Sequence, residues 1–253
     1  MNKVEAFRAL HVPGDPLVLF NIWDAGSAKA VAAAGATAIA TGSFGVACAR
    51  GSSDGENLSL DEALANLREI LGVTDLPVTI DMEAGYGVDA VAVGRSVARA
   101  REAGAAGINM EDRMPGESAL LSVAEAAARI GAAAATGLFV NARCDVFRGR
   151  DTAVDGDALV AATLDRARAY ADAGAGGLFV PFLADRRCIA AICDASALPV
   201  NILWSPPCGD RAALAALGVA RISHGHQPWA AAMAWLGEQA SAVLGGGVPP
   251  YAA

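Results

Sequence analysis

The 253-residue chain carries 19 Lys and Arg against 27 Asp and Glu, a formal net charge of −8 at pH 7. Because phosphate backbones are bound by clustered basic side chains, this balance argues against nucleic acid as a partner. Charged residues interrupt every apolar run before the roughly 20 residues that a membrane-spanning helix needs, so we also expect no membrane partner. The five irregularly spaced cysteines, in a chain whose first ten residues show no secretory signal, indicate reduced thiols in the cytoplasm.

Short β-branched or apolar runs alternate with alanine-rich segments of helical spacing. The predicted strands are Val18–Trp23, Thr37–Thr41, Val78–Glu83, Gly107–Glu111, Leu138–Asp145, Gly177–Pro181, Val200–Trp204 and Arg221–His224. The predicted helices are Ser27–Ala34, Leu60–Leu71, Asp89–Ala103, Val123–Ala134, Asp157–Ala173, Asp185–Cys193, Arg211–Leu217 and Trp229–Leu244. Strand then helix, repeated in this way, is typical of an α/β fold of the (β/α)8 TIM-barrel type. No linker interrupts the pattern, so we expect residues 1–253 to form a single catalytic domain.

The connections between these elements differ at the two ends of the predicted barrel. Several helices end in Ala-Gly-Ala just before a strand, where Gly35, Gly104 and Gly174 suit the left-handed position that closes a helix. The strand-to-helix connections are irregular and polar, and the longest spans residues 42–59. Active sites of such barrels lie at the ends of the strands, so we expect function on that face.

Carboxylates gather at successive strand ends of this sequence. Asp81 and Glu83 are two residues apart and are expected to share one face of their strand. Glu111 ends the next strand, and Asp54 lies in the long loop after the second strand. Each acid alone is most simply a solvated loop carboxylate, but the set together predicts a site for a hard cation such as Mg²⁺ or Mn²⁺.

The fifth strand places Asn141, Arg143 and Asp145 on one face. Arg143 there is suited to bind a substrate carboxylate and to offset charge that develops on an enolate oxygen. The alternative is that Arg143 pairs with Asp145 or Glu111 to neutralise the mouth of the barrel. The two interpretations are compatible.

These segments resemble one known family. The similarity is to the isocitrate lyase and phosphoenolpyruvate mutase superfamily, and it covers most of the chain in order, at residues 21–27, 41–45, 54–56, 81–87, 111–112 and 141–145. It implies an α/β barrel that binds an α-keto acid or its enolate to Mg²⁺. It also implies cleavage or formation of a C–C or P–C bond next to the keto group.

The resemblance assigns roles to individual positions. Asp81 would face the metal most directly, and Asp54, Glu83 and Glu111 would hold it mainly through water. The turn whose N–H groups cradle the substrate carboxylate, and the family's substrate-binding arginine, correspond to Gly42, Ser43, Phe44 and Arg143. The family's Ser-Gly order appears here as Gly-Ser. The predicted catalytic residues are Arg143, Glu111 and Asp54.

One region departs from the family pattern. Lyases of the family carry a Lys-Lys/Arg-Cys-Gly-His lid after the fourth strand, whereas residues 112–120 contain neither Cys nor His. The mutase's Lys and Asn are missing from this lid too, and residues 180–183 lack the mutase's His. The general acid or base is therefore left open among Glu111, Arg113 and Glu117.

Other residues near the predicted mouth are less specific. His224 and His226 follow the eighth strand and are candidates for acid–base chemistry or substrate contact, with a role at the rim as the alternative. Trp204, at the end of the seventh strand, is expected to wall the substrate pocket. The last helix, about residues 228–244, packs either on the barrel or on a neighbouring subunit, and the family implies a homo-oligomer, a dimer or a tetramer.

The sequence thus predicts a Mg²⁺- or Mn²⁺-dependent enzyme for a small α-keto or 2-hydroxy (di)carboxylate. We expect C–C cleavage or decarboxylation through a metal-stabilised enolate. Phosphonopyruvate hydrolysis or mutase-like P–C chemistry is one alternative, and a catalytically inactive barrel that binds 2-oxoacids is another. The substrate itself stays open, because the loops that would select it are those that depart from the family.

Overall fold

The computed structural model describes residues 2–249 and 251, and its centre is a sheet of eight parallel strands. The strands are β1 Leu17–Leu19, β2 Ile39–Ala40, β3 Val78–Asp81, β4 Gly107–Glu111, β5 Phe139–Arg143, β6 Gly177–Val180, β7 Val200–Leu203 and β8 Arg221–Ser223. Neighbours follow the order β1-β8-β7-β6-β5-β4-β3-β2. This arrangement confirms the predicted (β/α)8 barrel.

The seam between β1 and β2 closes beyond the ends of both strands. A single parallel bridge joins Ile22 to Thr41. The Ile22 N–H donates to the Ala40 carbonyl at 2.9 Å, and the Gly42 N–H donates to the Ile22 carbonyl at 3.3 Å. The barrel is therefore nearly closed. Gly42 is fixed at the rim formed by the C-terminal ends of the strands, which we call the upper rim, and the opposite end is the lower rim.

Ten helices surround the sheet in the described residues. They are α1 Lys3–Ala9, α2 Ala25–Ala33, α3 Ser43–Ala49, α4 Leu60–Leu71, α5 Ala90–Ala103, α6 Val123–Ala134, α7 Thr152–Asp172, α8 Arg186–Ala195, α9 Arg211–Ala215 and α10 Gln227–Leu244. The sequence pattern missed α1 and α3, because seven residues are too few to show a helical period clearly. Helix α7 begins at Thr152 rather than at the predicted Asp157, since the Asp151 side chain caps it.

Helix ends at the lower face follow the prediction. Gly35, Gly104 and Gly174 have φ of +95°, +105° and +94°. Only glycine adopts this left-handed region without strain. A β-carbon on Gly104 would also lie 3.0 Å from the Leu71 Cδ1 atom. These turns lead directly into the strands that carry the upper-face residues.

Helix α1 covers the lower end of the barrel. Phe7 is fully buried there and packs edge-on against Phe139, with ring centroids 5.3 Å apart. His11 stacks on Phe139 at 4.2 Å. Burial and the nearby Arg221 cation lower the pKa of His11 to about 3, so this imidazole is neutral. The lower end is a packed plug.

The barrel interior holds a layer of polar side chains above this plug. The Asn141 amide donates to Asn109 Oδ1 at 2.9 Å, and Arg221 donates to the same oxygen at 3.1 Å. Arg221 is fully buried, and burial lowers its pKa to about 9 while Asp81 opposes that shift. A buried cation therefore lies within the electrostatic field of the carboxylates at the rim.

Helix α10 leaves apolar side chains on the surface. Trp235 and Leu236 are 53% and 54% exposed. The prediction that this helix contacts a neighbouring subunit stays a prediction. Across the described part of the chain, the helices are all too short or too polar to pass through a bilayer.

Candidate active site

Strand β3 ends two residues earlier than the sequence predicted, and this changes how Asp81 and Glu83 are positioned. Asp81 is the last residue of the strand. Glu83 adopts φ of +49°, so it has left the extended conformation in which both acids would share a face. The expectation of a strand through Glu83 was wrong, because a left-handed residue cannot continue a ladder. Both carboxylates nevertheless line cavities at the upper face.

Backbone N–H groups hold the two acids of this segment. Asp81 Oδ2 accepts from the Ser43 N–H and Oδ1 from the Glu83 N–H, both at 3.2 Å. Glu83 Oε2 accepts from the Gly55 and Glu56 N–H groups at 2.8 and 2.7 Å. The loop after β2 is thereby tied to the end of β3.

The same two acids are electrostatically strained. Burial, and then the charges of Asp81 and Asp54, raise the pKa of Glu83 to about 8. Burial also raises the pKa of Asp81, against the opposing Arg143 cation. Like charges at short range disfavour the ionised form of each other. A cation placed among these carboxylates would offset both the energetic cost of burying their charges and the repulsion between them.

Arg143 joins the ends of β4 and β5. Its Nη1 donates to Glu111 Oε1 at 2.5 Å, and its Nε and Nη2 donate to the two oxygens of Asp145 at 2.6 and 3.0 Å. Glu111 and Arg143 are also register partners in the sheet. Burial raises the pKa of Glu111 to about 7, although the Arg143 cation lowers it. Arg143 thus pairs with both acids and still lines the cavities.

Asp145 is the hub that fixes Arg143. Its side chain is fully buried and also accepts a hydrogen bond from Arg113 Nη2 at 3.1 Å. Its own N–H donates to Asp112 Oδ1 at 3.0 Å, and the Tyr170 hydroxyl donates to the other oxygen of Asp112 at 2.8 Å. The guanidinium of Arg143 is therefore held from behind by a buried polar chain.

Two cavities open at this face of the barrel. The inner cavity has a volume of about 160 Å³ and is lined by residues that include Gly42, Ser43, Phe44, Asp81 and Asn109. The outer cavity has about 330 Å³ and is lined by Glu83, Glu111, Arg113 and Glu117 among others. Three side chains, those of Asp54, Arg143 and Arg148, line both. The inner cavity is of the size of a small organic acid.

Gly42, Ser43 and Phe44 form the start of a helix and not a free turn. Gly42 precedes α3 as its N-cap, and Ser43 is the first helical residue. The Ser43 N–H points to Asp81, as described above. All three residues line the inner cavity.

Trp204 and His224 lie beside the cavities without being among their lining residues. The Trp204 indole donates to the Gly209 carbonyl at 2.9 Å, and its ring stacks on His224 at 5.7 Å. Burial lowers the pKa of His224. The residue that does line the inner cavity is His226, whose ring lies 5.5 Å from that of Phe44. In the part of the inner cavity where the sequence predicted Trp204 and His224, the lining residue is His226.

Arg148 and Phe182 were not singled out in the sequence. Both line the inner cavity. Arg148 follows the 3-10 helix Asp145–Phe147, and Phe182 has φ of +63°. The signal that was available is the position of each in a connection that follows a strand, since such loops surround the mouth of the barrel.

The four predicted metal ligands fit a hard cation by their chemistry. All are carboxylates, the donors that Mg²⁺ and Mn²⁺ prefer. Within residues 2–249 and 251, no three His, Cys, Asp or Glu side chains are arranged as a metal-holding group. The Asp81, Glu83 and Glu111 oxygens accept instead from N–H groups and from Arg143. Ligation would require these side chains to rotate away from those donors.

A family model for phosphoenolpyruvate phosphomutase matches residues 7–244. The chain belongs to the isocitrate lyase and phosphoenolpyruvate mutase superfamily. A solved structure from Burkholderia cenocepacia, provisionally described as a phosphonomutase, is 48% identical, with a TM-score of 0.91 over 94% of this chain and 99% of that one. This result confirms the resemblance drawn from the sequence.

Two characterised enzymes are also similar to the chain. The 2-methylisocitrate lyase of Salmonella typhimurium is 33% identical over 78% of this chain and 68% of its own length. The oxaloacetate decarboxylase of a Bradyrhizobium strain is 34% identical over 76% and 67%. The proteins similar to this chain therefore include a lyase and a decarboxylase that are named for small organic acids.

The segment that carries the lid in lyases of the superfamily is a short, tied loop here. Arg113 and Leu120 form an antiparallel bridge. The Arg113 Nη1 donates to the Glu117 carbonyl at 3.0 Å, and Arg166 donates to the Leu121 carbonyl at 2.8 Å. The outer cavity is bounded by this loop and is open to solvent.

Proposed function

We propose that the chain is a Mg²⁺- or Mn²⁺-dependent carbon–carbon lyase or decarboxylase of small 2-oxo or 2-hydroxy dicarboxylates. The observation that carries the proposal is the position of Arg143, clamped by Glu111 and Asp145 beside a small cavity that Asp54 and Asp81 also line. The similarity to a 2-methylisocitrate lyase and to an oxaloacetate decarboxylase supports the reaction class.

Arg143 is the proposed anchor for the carboxylate next to the reacting carbon. A guanidinium has five N–H donors, and three of those of Arg143 are engaged by Glu111 and Asp145. One N–H on each terminal nitrogen remains for a ligand. Because the clamp fixes the plane of the group, a bound carboxylate would be oriented with little loss of side-chain entropy.

Asp81, together with Asp54, Glu83 and Glu111, is the proposed holder of the divalent cation. When bound, such an ion supplies Lewis-acid stabilisation of an enolate oxygen. The N–H groups of Ser43 and Glu83 orient Asp81. The buried Arg221 below it adds a fixed positive field.

Of the three groups that the sequence left open as general acid or base, two are proposed as proton sources at the outer cavity. Arg113 is engaged by Asp145 and the Glu117 carbonyl, which leaves the carboxyl groups of Glu111 and Glu117. The outer cavity also admits solvent. An enolate formed by loss of CO₂ can take its proton from water, so decarboxylation needs no further acid group.

Phosphorus–carbon chemistry is the second candidate. The observation that favours it is the 48% identity to the Burkholderia cenocepacia protein. It would use the same arginine and cation, with a phosphonate in place of the departing carboxylate.

Turnover assays separate these candidates. Purified chain would be incubated with oxaloacetate, 2-alkylmalates and phosphonopyruvate, with Mn²⁺ or with EDTA. We expect release of a 2-oxoacid or CO₂ from a carboxylic acid substrate, and loss of that activity in EDTA. Phosphate release from phosphonopyruvate alone would favour the second candidate. Metal-independent turnover would contradict the proposal, and saturable binding without product would identify an inactive binding barrel.

A further inference from the structure

Arg148 lies at the junction of the two cavities and makes only a long ion pair with Asp145. Of the three arginines that line the outer cavity, Arg113 and Arg143 are both held by hydrogen bonds to Asp145. Arg148 Nη1 lies 3.8 Å from Asp145 Oδ2, beyond hydrogen-bond distance, and its side chain is 48% exposed. Its guanidinium donors are therefore available to a ligand.

The Phe182 ring supports this guanidinium. The Arg148 Cζ lies 5.1 Å from the ring centroid, and the Arg143 Cζ lies 5.7 Å from the same centroid. The ring is 46% exposed, and φ at Phe182 is +63°. A bulky residue rarely adopts this conformation, and such strain clusters where a side chain must be aimed. The ring thus gives Arg148 a resting surface that leaves its N–H edge unoccupied.

The two arginines are close enough to receive one small molecule. Both approach Asp145 Oδ2, with Arg143 Nη2 at 3.0 Å and Arg148 Nη1 at 3.8 Å. Asp54, Glu83, Glu111 and Glu117 make the surrounding wall acidic. With Arg143 and the proposed divalent cation engaged at the reacting end of the substrate, a second anionic group that reaches this wall would be repelled unless a further cation lies beside it.

We propose that Arg148, resting on Phe182, forms a subsite for a second anionic group on the substrate, so that the chain selects dianionic over monoanionic 2-oxo and 2-hydroxy acids. The inference rests on the proposed function and assigns its specificity. A carboxylate and a phosphonate share the recognising chemistry, since a guanidinium binds either with paired hydrogen bonds.

Three analogues with a backbone of four atoms differ only in the group at the position of the second anion. They are 2-hydroxybutyrate, malate and 3-phosphonolactate, which place a methyl, a carboxylate or a phosphonate at the same position. Their dissociation constants would be measured by calorimetry with Mn²⁺, for the wild-type chain, Arg148→Gln and Arg150→Gln. Arg150 is the matched control, because it lies two residues away and pairs with Asp155 on the surface.

We expect wild type to bind malate or 3-phosphonolactate at least about tenfold more tightly than 2-hydroxybutyrate, as one hydrogen bond to a charged group predicts. Arg148→Gln should weaken the dianions by about tenfold to a hundredfold and leave 2-hydroxybutyrate unchanged. Arg150→Gln should change none of them. The dianion that loses more affinity in Arg148→Gln identifies the natural group.

An unchanged ratio of dianion to monoanion affinity in Arg148→Gln would overturn the subsite. An equal loss for all three ligands would do the same, since it would indicate a general change in the mouth. Turnover is a separate readout. A chain that keeps the Arg148-dependent preference but converts no substrate would refute the proposed function alone, and an active chain without the preference would refute the subsite alone.

Discussion

The two rims of the barrel differ in which residue types adopt the left-handed backbone conformation. At the lower rim, Gly35, Gly104 and Gly174 take this conformation where helices turn into strands. Among the described residues, the non-glycine positions with positive φ all lie in upper-rim loops, namely Glu56, Glu83, Tyr86 and Phe182. Such positions cost on the order of 1 kcal/mol each. The lower rim is built for stability, whereas the upper rim keeps particular side chains in place at the expense of stability.

The contrast is also electrostatic. At the lower end, His11 is neutral and packed between aromatic rings. At the upper end, Asp81, Glu83 and Glu111 are all partly or fully desolvated acids with raised pKa. Buried acids without full compensation are typical of functional sites.

The largest expected effect is that of Asp81→Asn. If the upper rim exists to hold a cation, this change should lower kcat/KM at least about a thousandfold, because metal stabilisation of the transition state is worth several kcal/mol. The free energy of unfolding should change little, since removal of a buried charge offsets the loss of one of the two oxygens that accept backbone N–H groups. Steady-state kinetics and urea denaturation measure the two effects.

Asp61→Asn is the control for that change, since Asp61 is an exposed carboxylate on α4 whose side chain is 78% accessible. It should leave kcat/KM unaltered. Retention of activity by Asp81→Asn would remove the basis for separating the rims by function.

Arg143→Lys should have the next largest effect. Lysine keeps the charge but cannot reproduce the fork that binds Asp145 and Glu111 together. We expect kcat/KM to fall about a hundredfold, the loss typical when one oriented donor to a developing charge is removed. Arg187→Lys, at an exposed pair with Asp157, is the control. Near-normal activity in Arg143→Lys would indicate that the arginine serves only to neutralise the mouth.

The pH dependence of metal stabilisation comes next. In the metal-free chain the pKa of Glu111 is raised from 4.5 to about 7 and that of Glu83 to about 8. Between pH 4.5 and about 8 the folded state therefore binds more protons than the unfolded state. The free energy of unfolding consequently falls as pH rises through this range. Cation binding favours the deprotonated acids.

Thermal denaturation measures that dependence directly. Millimolar Mn²⁺ should increase Tm by on the order of a few degrees. This increase should be larger at pH 8 than at pH 5.5. Asp81→Asn should abolish the difference. Equal increases at both pH values would mean that the raised acids are not those that meet the cation.

The smallest expected effects compare single residues on the two rims. Gly104→Ala should reduce the free energy of unfolding by about 1 kcal/mol or more, because it strains φ and approaches Leu71. Phe182→Gly should change it by less than about 1 kcal/mol, since relief of strain offsets the added freedom of the unfolded chain. Urea titration measures both. A larger loss for Phe182→Gly would show that the ring contributes to packing instead.

The elements that the sequence predicted best have their determinants in local patterns. Helix α4 begins and ends at the predicted Leu60 and Leu71, and β4 at the predicted Gly107 and Glu111. In α4, an amphipathic face and the Ser59 capping box mark the start. The alternation of strand and helix was enough to predict the barrel.

The parts that the sequence could not predict depend on distant contacts. Strand β3 stops at Asp81 because Glu83 turns to the N–H groups of Gly55 and Glu56, nearly thirty residues away. Arg148 reaches the cavities only through the path of the loop that follows Asp145. Positive φ at residues such as Phe182 contradicts local preference, so no local pattern predicts it.

The central claim is that Asp54, Asp81, Glu83 and Glu111 hold one divalent cation at the upper rim, and titration of the chain with Mn²⁺ followed by electron paramagnetic resonance tests it most directly. The account predicts one bound ion per chain in the wild type and in Asp61→Asn, with binding lost in Asp81→Asn. Absence of Mn²⁺ binding by the wild type, or equal binding by Asp81→Asn, would contradict it.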